Sequence, residues 1–272
     1  MTTRFHTHHI DIRENTVVKR YIDWSRGEPY REWAALKVLD FHVPDLAPHP
    51  IHADLDATPP AITMSRLPGR VLRGEPTTSA QIEATAHALD RLHRIPTRAV
   101  TELDPASWGP EAAVAKVRRL IHARPDPGSD PLARQAHQEG TTWMATTDPD
   151  HLLDNPYPPV LGLADGNHAN FLWDGQRGCV RLIDWEDSGR NDRAFELGEL
   201  TEHISRTDGT LDPEALLAQI DLTPREAMRV RGFRRLVALC WLLQLGPTGA
   251  ATPHNPPGTA RRVAERLLNL FG

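Results

Sequence analysis

Cysteine is nearly absent: Cys179 and Cys240 are the only two in 272 residues, which excludes a disulfide framework and a cysteine-based zinc site. Cys240 lies in the apolar run from Leu236 to Leu245, where a free buried thiol is the simplest state. Lysine is scarce as well. Lys and Arg total 31, and all but Lys19, Lys37 and Lys116 are arginine. None of the three follows a glycine, so there is no Walker-type lysine motif, and no G-x-S-x-G elbow marks an esterase. Long hydrophobic runs are missing too; the longest is about half the ~20 residues that span a bilayer. The opening MTTRFHTHHIDIREN has no apolar signal core. A cytoplasmic protein without a membrane partner is expected. Positive charge is also short: 36 acidic residues give a net charge of −5 with His neutral, the wrong sign for a dedicated nucleic-acid binder.

What remains is an ordinary globular composition, 25% charged and 39% apolar, long enough for one large or two modest domains. Residues 5 to 11 and 16 to 22 alternate around Arg13-Glu14-Asn15, predicting a β-hairpin. From Pro29 to Leu39 the period becomes helical, with Trp33, Ala35, Leu36 and Leu39 at matching spacing. The Pro-rich stretch from Val43 to Pro60 reads as loop, and the apolar run Ala61 to Met64 stops at Ser65-Arg-Leu-Pro-Gly69. Helices are expected over 78–94, 111–123, 131–145, 223–245 and 259–270, with breakers at 124–130 and 154–159. The chain thus divides into a sheet-based part, 1–68, and a mainly helical part, 69–272, joined at about 64–69.

The segment Val160 to Trp173 places Asp165 five residues before Asn170, and the strand-like Cys179-Val-Arg-Leu-Ile-Asp-Trp185 ends in a second aspartate, Asp184. Phosphoryl transfer needs a carboxylate beside the incoming hydroxyl and oxygen ligands that hold magnesium on the phosphates. Asp165, Asn170 and Asp184 supply these groups in type, and D-x-x-x-x-N is the spacing of kinase catalytic loops. Alone that spacing is weak, because Asp and Asn are common in loops. Two further features strengthen it. Lys19 stands mid-strand in a chain with little lysine, and Glu32 shares a helix face with Ala35, Leu36 and Leu39, a poor place for a carboxylate without a partner. Lys19 and Glu32 could form that pair.

Taken together, these residues resemble the aminoglycoside phosphotransferase family, which includes choline kinase-like small-molecule kinases. The family's H-G-D-x-x-x-x-N loop corresponds to Leu163-Ala-Asp-Gly-Asn-His-Ala-Asn170, and I-D-W-E stands literally as Ile183-Asp-Trp-Glu186. The later acidic element corresponds to Asp192-Arg-Ala-Phe-Glu-Leu197, the hinge to Met64-Ser-Arg-Leu-Pro-Gly69, and the first large-lobe helix to residues 88–96. The resemblance implies a two-lobed α+β fold of the protein-kinase type and transfer of the γ-phosphate of ATP or GTP to a hydroxyl of a small metabolite or antibiotic. In that reading Asp165 orients or deprotonates the acceptor, Asn170 and Asp184 hold Mg2+, and Lys19, braced by Glu32, contacts the α- and β-phosphates. Adenine would pair with the Ser65 C=O and Leu67 N–H behind Met64. Glu196, in place of the family's Asp, would still brace the catalytic loop.

Departures leave other readings standing. Leu163 and Ala164 replace the family's His and Gly, and no Gly- or Ser-rich loop precedes Phe5, where Thr2 and Thr3 are the only candidates to cover the phosphates. A nucleotide-binding pseudokinase is therefore the alternative. His6 and His8 share a strand face at a spacing that can bind metal, but with no H-E-x-x-H or nearby Cys to complete a site an exposed edge strand is the simpler reading. His168 is expected to hydrogen-bond within its loop, and Arg118-Arg119 and Arg234-Arg235 to be solvated helix faces. Glu186, Asp187, Glu199 and Glu202 could line a site for a cationic, aminoglycoside-like acceptor. A monomer or homodimer is expected.

Overall fold

The computed structural model describes residues 8–208 and 211–272. Thr2, Thr3, His6 and the start of the predicted first strand lie outside the described residues. Strands β1 (His8–Ile12) and β2 (Thr16–Tyr21) form the expected hairpin, and α1 (Glu28–His42) follows, with Pro29 in its first turn. Then come β3 (Pro50–Asp54) and β4 (Ala61–Ser65), which close a four-stranded antiparallel sheet in the order β1-β2-β4-β3. The buried residues Ala35, Leu36 and Leu39 place one face of α1 against this sheet, and Glu32 lies on that same face.

Strand β3 is absent from the sequence reading, and its chemistry explains why. It is an edge strand that begins on a proline, where the missing N–H costs no ladder bond. A register shift between Pro50 and His52 also breaks its alternation.

Beyond β4 the chain becomes mainly helical, with a short β5 (Arg70–Val71) and then α2 (Ser79–His93), α3 (Thr97–Thr101), α4 (Pro110–His122), α5 (Pro131–Met144) and α6 (Asp148–His151). Thr78 caps α2 through a reciprocal bond with Gln81. Next come β6 (Val160–Gly162), β7 (Phe171–Asp174), β8 (Cys179–Leu182) and β9 (Gly189–Asn191), then α7 (Arg193–Glu202), α8 (Pro213–Leu217), α9 (Pro224–Leu243) and α10 (Thr259–Phe271). Strands β5, β7 and β8 make one small antiparallel sheet, and β6 and β9 another. The first of these is tied to the loop after α1, because Leu182 N–H donates to Leu46 C=O at 2.8 Å.

Helix α9 is the axis of the helical part. Its C-terminal half, Leu236 to Leu243, is buried nearly all round because α4, α5, α7 and α10 pack against it. Phe233 meets Phe195 of α7 edge-on, with ring centroids 5.4 Å apart. Arg234 corrects the expectation of a solvated face: it is buried, and its guanidinium binds Glu202 and Glu214, both at 2.8 Å. Arg118 does lie at the surface, paired with Asp150. Among the described residues no helix is long and apolar enough to cross a membrane.

Phe233 is fully buried at the crossing of α7 and α9. Phe233→Ala is expected to lower the unfolding free energy by about 3–5 kcal/mol, read as a shift of the urea midpoint.

Candidate active site

A buried ammonium organises the site. Lys19 on β2 is 3% exposed, and its Nζ lies 2.7 Å from Glu32 of α1, 2.5 Å from Asp184 and 2.9 Å from Glu186. Burial alone would pull this lysine down, but the three carboxylates hold it well above its ordinary value. The Tyr21 hydroxyl donates to Glu32 Oε2 at 2.5 Å, so the carboxylate is held from two sides. Burial opposes ionisation of Glu186, yet His8 and Lys19 keep its carboxyl down at about 2. The ligand atoms of His8, Asp184 and Glu186 lie within 4.8 Å of one another. The Lys19 ammonium already supplies the cation between these two carboxylates, so the histidine gains no metal role here.

Lys19, Glu32, Met64, Ser65, Leu67 and Asp184 line one cavity of about 320 Å3, together with the apolar side chains of Ile10, Ile12, Val17, Leu172 and Ile183. Every residue the sequence reading assigned to nucleotide is therefore gathered in one place. Ser65 is tied to the neighbouring segment, its N–H donating to His49 C=O and its hydroxyl accepting from His49 N–H. The Leu67 N–H has no hydrogen-bond partner among the described residues and can serve a ligand.

On the other side lies Asp165. Its Oδ1 accepts from Asn167 N–H at 3.0 Å and its Oδ2 from Asn170 Nδ2 at 2.9 Å. Burial, and next the charge of Asp184, push its carboxyl up to about 6, against these two donors. With its amide nitrogen committed to Asp165, Asn170 turns its amide oxygen the other way, and that oxygen makes no hydrogen bond among the described residues. Asn170 and Asp184 thus offer hard oxygen donors alone, a set that fits Mg2+.

The loop is held by α7. Leu163 N–H donates to Glu196 at 2.9 Å and Ala164 N–H at 3.2 Å, while Asn191 donates to the same carboxylate. Burial pushes Glu196 up to about 7. Ala164 and Asp184 both have left-handed backbone, with φ of 58° and 67°, a strained conformation that clusters at functional sites. The family's glycine at the Ala164 position now has a physical reason: only glycine takes this φ without a Cβ penalty. A Cβ at Gly166 would sit 2.7 Å from the Glu199 backbone oxygen, so the loop packs directly on α7.

A second cavity, of about 250 Å3, opens beside Asp165 and is lined by Ser107, Trp108, Lys116, Asp187, Glu199 and Trp241 among others. Sequence reasoning missed several of these. Trp108 carries no local motif, and Lys116 had only the rarity of lysine to mark it. His203 was also missed. Its Nε2 lies 3.5 Å from Asp165 Oδ1, and Ser205 N–H donates to its Nδ1, which assigns the ring proton to Nε2 facing the carboxylate. Burial pushes His203 down to about 3, so the ring is neutral. His168 is buried in its loop beside Leu200 C=O, as expected of a loop histidine.

The acidic residues expected to favour a cationic acceptor are otherwise engaged. Glu186 belongs to the Lys19 cluster, and Asp187 accepts from Arg26 at 3.0 Å and Ser107 at 2.5 Å. Glu199 accepts from Trp108 Nε1 at 3.1 Å and is pushed up to about 8 by burial. Glu202 is buried among Arg206, Arg234 and Arg266. Adjacent acids in sequence were dispersed to different partners by the fold.

Ala164→Gly is expected to stabilise the protein by about 0.5–1 kcal/mol, because relief of the left-handed Cβ clash outweighs the added freedom of the unfolded chain. A higher urea midpoint with an unchanged slope is the expected reading.

No curated protein sequence matches the chain. Solved structures do. A choline/ethanolamine kinase family protein from Mesorhizobium loti superposes with a TM-score of 0.64 at 18% identity, covering 98% of this chain and 84% of that one. Aminoglycoside 2'-phosphotransferase-IIIa, solved as a GDP complex, has a TM-score of 0.64 at 13% identity and covers 97% of this chain and 89% of that one. Choline kinase LicA from Streptococcus pneumoniae has a TM-score of 0.60 at 15% identity, covering 100% and 91%. These similarities establish the two-lobed α+β fold of kinase-like phosphotransferases. The profile of the phosphotransferase enzyme family matches residues 9–232, most of the chain, and the protein belongs to that family.

Proposed function

We propose that the protein is a small-molecule kinase that transfers the γ-phosphoryl group of ATP or GTP to an acceptor hydroxyl. The observation that carries this reading is a pair of carboxylates on two cavities: Asp184 lines the first and Asp165 the second, and the charge of Asp184 acts on Asp165. The named functions of the structural neighbours, phosphorylation of choline or of aminoglycosides, support the same class of chemistry.

In this mechanism the nucleotide base occupies the apolar cavity against Met64 and meets the Leu67 N–H, and Lys19 leaves part of its carboxylate cluster to contact the phosphates. Glu32, held by Tyr21, keeps the ammonium aimed. Magnesium, held by Asn170 and Asp184, would neutralise charge on the phosphates. Asp165 accepts the acceptor's hydroxyl proton as its oxygen forms the new bond to phosphorus and the bond to the β-phosphate oxygen breaks, leaving a nucleoside diphosphate. Asn167, Asn170 and His203 hold this carboxylate in place. In this reading the described residues up to 68 belong to the nucleotide-covering lobe and those from 69 onward to the acceptor-bearing lobe, joined at about 64–69. The pseudokinase alternative drew on the missing phosphate loop before Phe5, which falls outside the described residues, and no described feature favours it.

Asp165→Ala is expected to lower phosphoryl transfer by about 10²–10⁴-fold with nucleotide affinity retained, measured by transfer of labelled γ-phosphate to a panel of hydroxylated metabolites. Transfer that survives this substitution would sink the assignment. Asp165 must be ionised to take the proton, so kcat/KM is expected to rise as the pH passes upward through about 6 and to be lost below it. A pH–rate profile of the wild type checks this.

A further inference from the structure

We infer that the acceptor is a compact hydroxylated molecule carrying one anionic group, a carboxylate or a phosphate ester, and that Lys116 binds this group in the cavity beside Asp165. This deepens the kinase reading above and rests on it for the role of Asp165.

Lys116 projects from α4 into the acceptor cavity. It makes no hydrogen bond or ion pair among the described residues; its ammonium instead stands 5.2 Å from the centre of the Trp108 ring. The contrast with the other two lysines is informative. Lys19 is buried in carboxylates and Lys37 is exposed on α1, whereas Lys116 is half-buried, has no ion pair among the described residues although its charge reaches Glu199, and lines the cavity beside Asp165. A half-desolvated cation without a counter-ion is a standing site for an anion.

No carboxylate of the cavity forms an ion pair with Lys116 among the described residues, although Glu199 feels its charge. Asp187 is neutralised by Arg26 and the Ser107 hydroxyl, and Glu199 accepts from Trp108. Burial pushes Glu199 up and favours its neutral form, while the Trp108 hydrogen bond and the charge of Lys116 pull it back. Asp165 is the remaining carboxylate, and its task is the hydroxyl proton. A polyamine entering here would meet Lys116 without free carboxylates to replace its hydration, whereas an anion would meet a cation in need of one.

Size and shape agree. The cavity of about 250 Å3 is smaller than the ~300–1,000 Å3 of sites for drug-sized ligands. Val237 and Trp241 give it an apolar wall that fits the carbon face of a single sugar-like ring. Lys116 is not among the residues of the nucleotide cavity, where Lys19 supplies the cation.

The experiment uses the full chain and four probes that vary charge: glucose, gluconate, glucose 6-phosphate and kanamycin. Binding is followed by calorimetry and by tryptophan fluorescence, and phosphorylation with magnesium and ATP or GTP, for the wild type, Lys116→Met and Lys116→Arg. Gluconate or glucose 6-phosphate is expected to bind at least ten-fold more tightly than glucose and kanamycin, and which of the two does so tells carboxylate from phosphate. Lys116→Met is expected to cost about ten-fold in affinity or acceptor KM for that anion, with Lys116→Arg restoring most of it and thermal unfolding unchanged in both. Preference for kanamycin or glucose, absence of binding by both anions, or a Lys116→Met defect confined to the nucleotide KM each overturn the inference. Anion binding that depends on Lys116, without transfer from either nucleotide, would leave the pocket standing and fail the kinase reading. Transfer to kanamycin or glucose would do the reverse.

Discussion

A single buried charge cluster constrains most of this structure. The Lys19 ammonium is contributed by the four-stranded sheet, Glu32 by the helix packed on it, and Asp184 and Glu186 by the segment that follows β8. The buried ammonium depends on this set of carboxylates, and losing one side of such a pair with no other anion to replace it costs about 3–5 kcal/mol. The sheet, α1 and the small β5-β7-β8 sheet must therefore keep one relative arrangement. Glu32 adds a further tie, since its Oε1 accepts from the Trp185 N–H at 3.4 Å. The stability requirement and the placement of Asp184 are the same interaction.

The catalytic loop follows a different logic. It is held by a buried carboxylate, Glu196, that takes the backbone N–H groups of Leu163 and Ala164, and by the close packing of Gly166 on α7. The left-handed backbone at Ala164 and Asp184 places an energetic cost on either side of the reacting centre. That cost is sustained because α7 is itself locked against α9 by Phe195 and Phe233. Rigidity in the helical part thus fixes Asp165, while rigidity in the charge cluster fixes Asp184. Each cavity has one of these two anchored carboxylates in its wall.

Helix α1, β4 and the amphipathic helices were legible because each buries one face and so imposes a period of two or 3.6 on its residues, while the hairpin was legible from alternation around Arg13-Glu14-Asn15 although β1 itself is largely exposed. Strand β3 was not, since an edge strand opening on a proline with a bulge leaves no period to read. Asp165, Asn170 and Asp184 stood out as candidates through short spacings, Lys19 through the scarcity of lysine and its place in a strand, and Glu32 through its position on an apolar face. His203, Trp108 and Lys116 were not, because they reach the site from separate helices or loops and share no local spacing with it. The acidic run also misled. In sequence Glu186, Asp187, Glu199 and Glu202 read as one charged set, and folding gave each a different partner.

The sequence by itself determined the type of chemistry, because a carboxylate, an amide and a second carboxylate at kinase spacing, with one isolated strand lysine, are few and local enough to be read along the chain. It also determined the α+β organisation, since periodicity is a property of neighbouring residues. The charge balance of the cavity beside Asp165 was decided by the tertiary structure alone. The partners of Asp187 and Glu199 are Arg26, Ser107 and Trp108, while Lys116 stands over the Trp108 ring without an ion pair among the described residues. Those are distances between segments scores of residues apart, and compensation of charge in a desolvated cavity is set by distance and burial rather than by order in the chain.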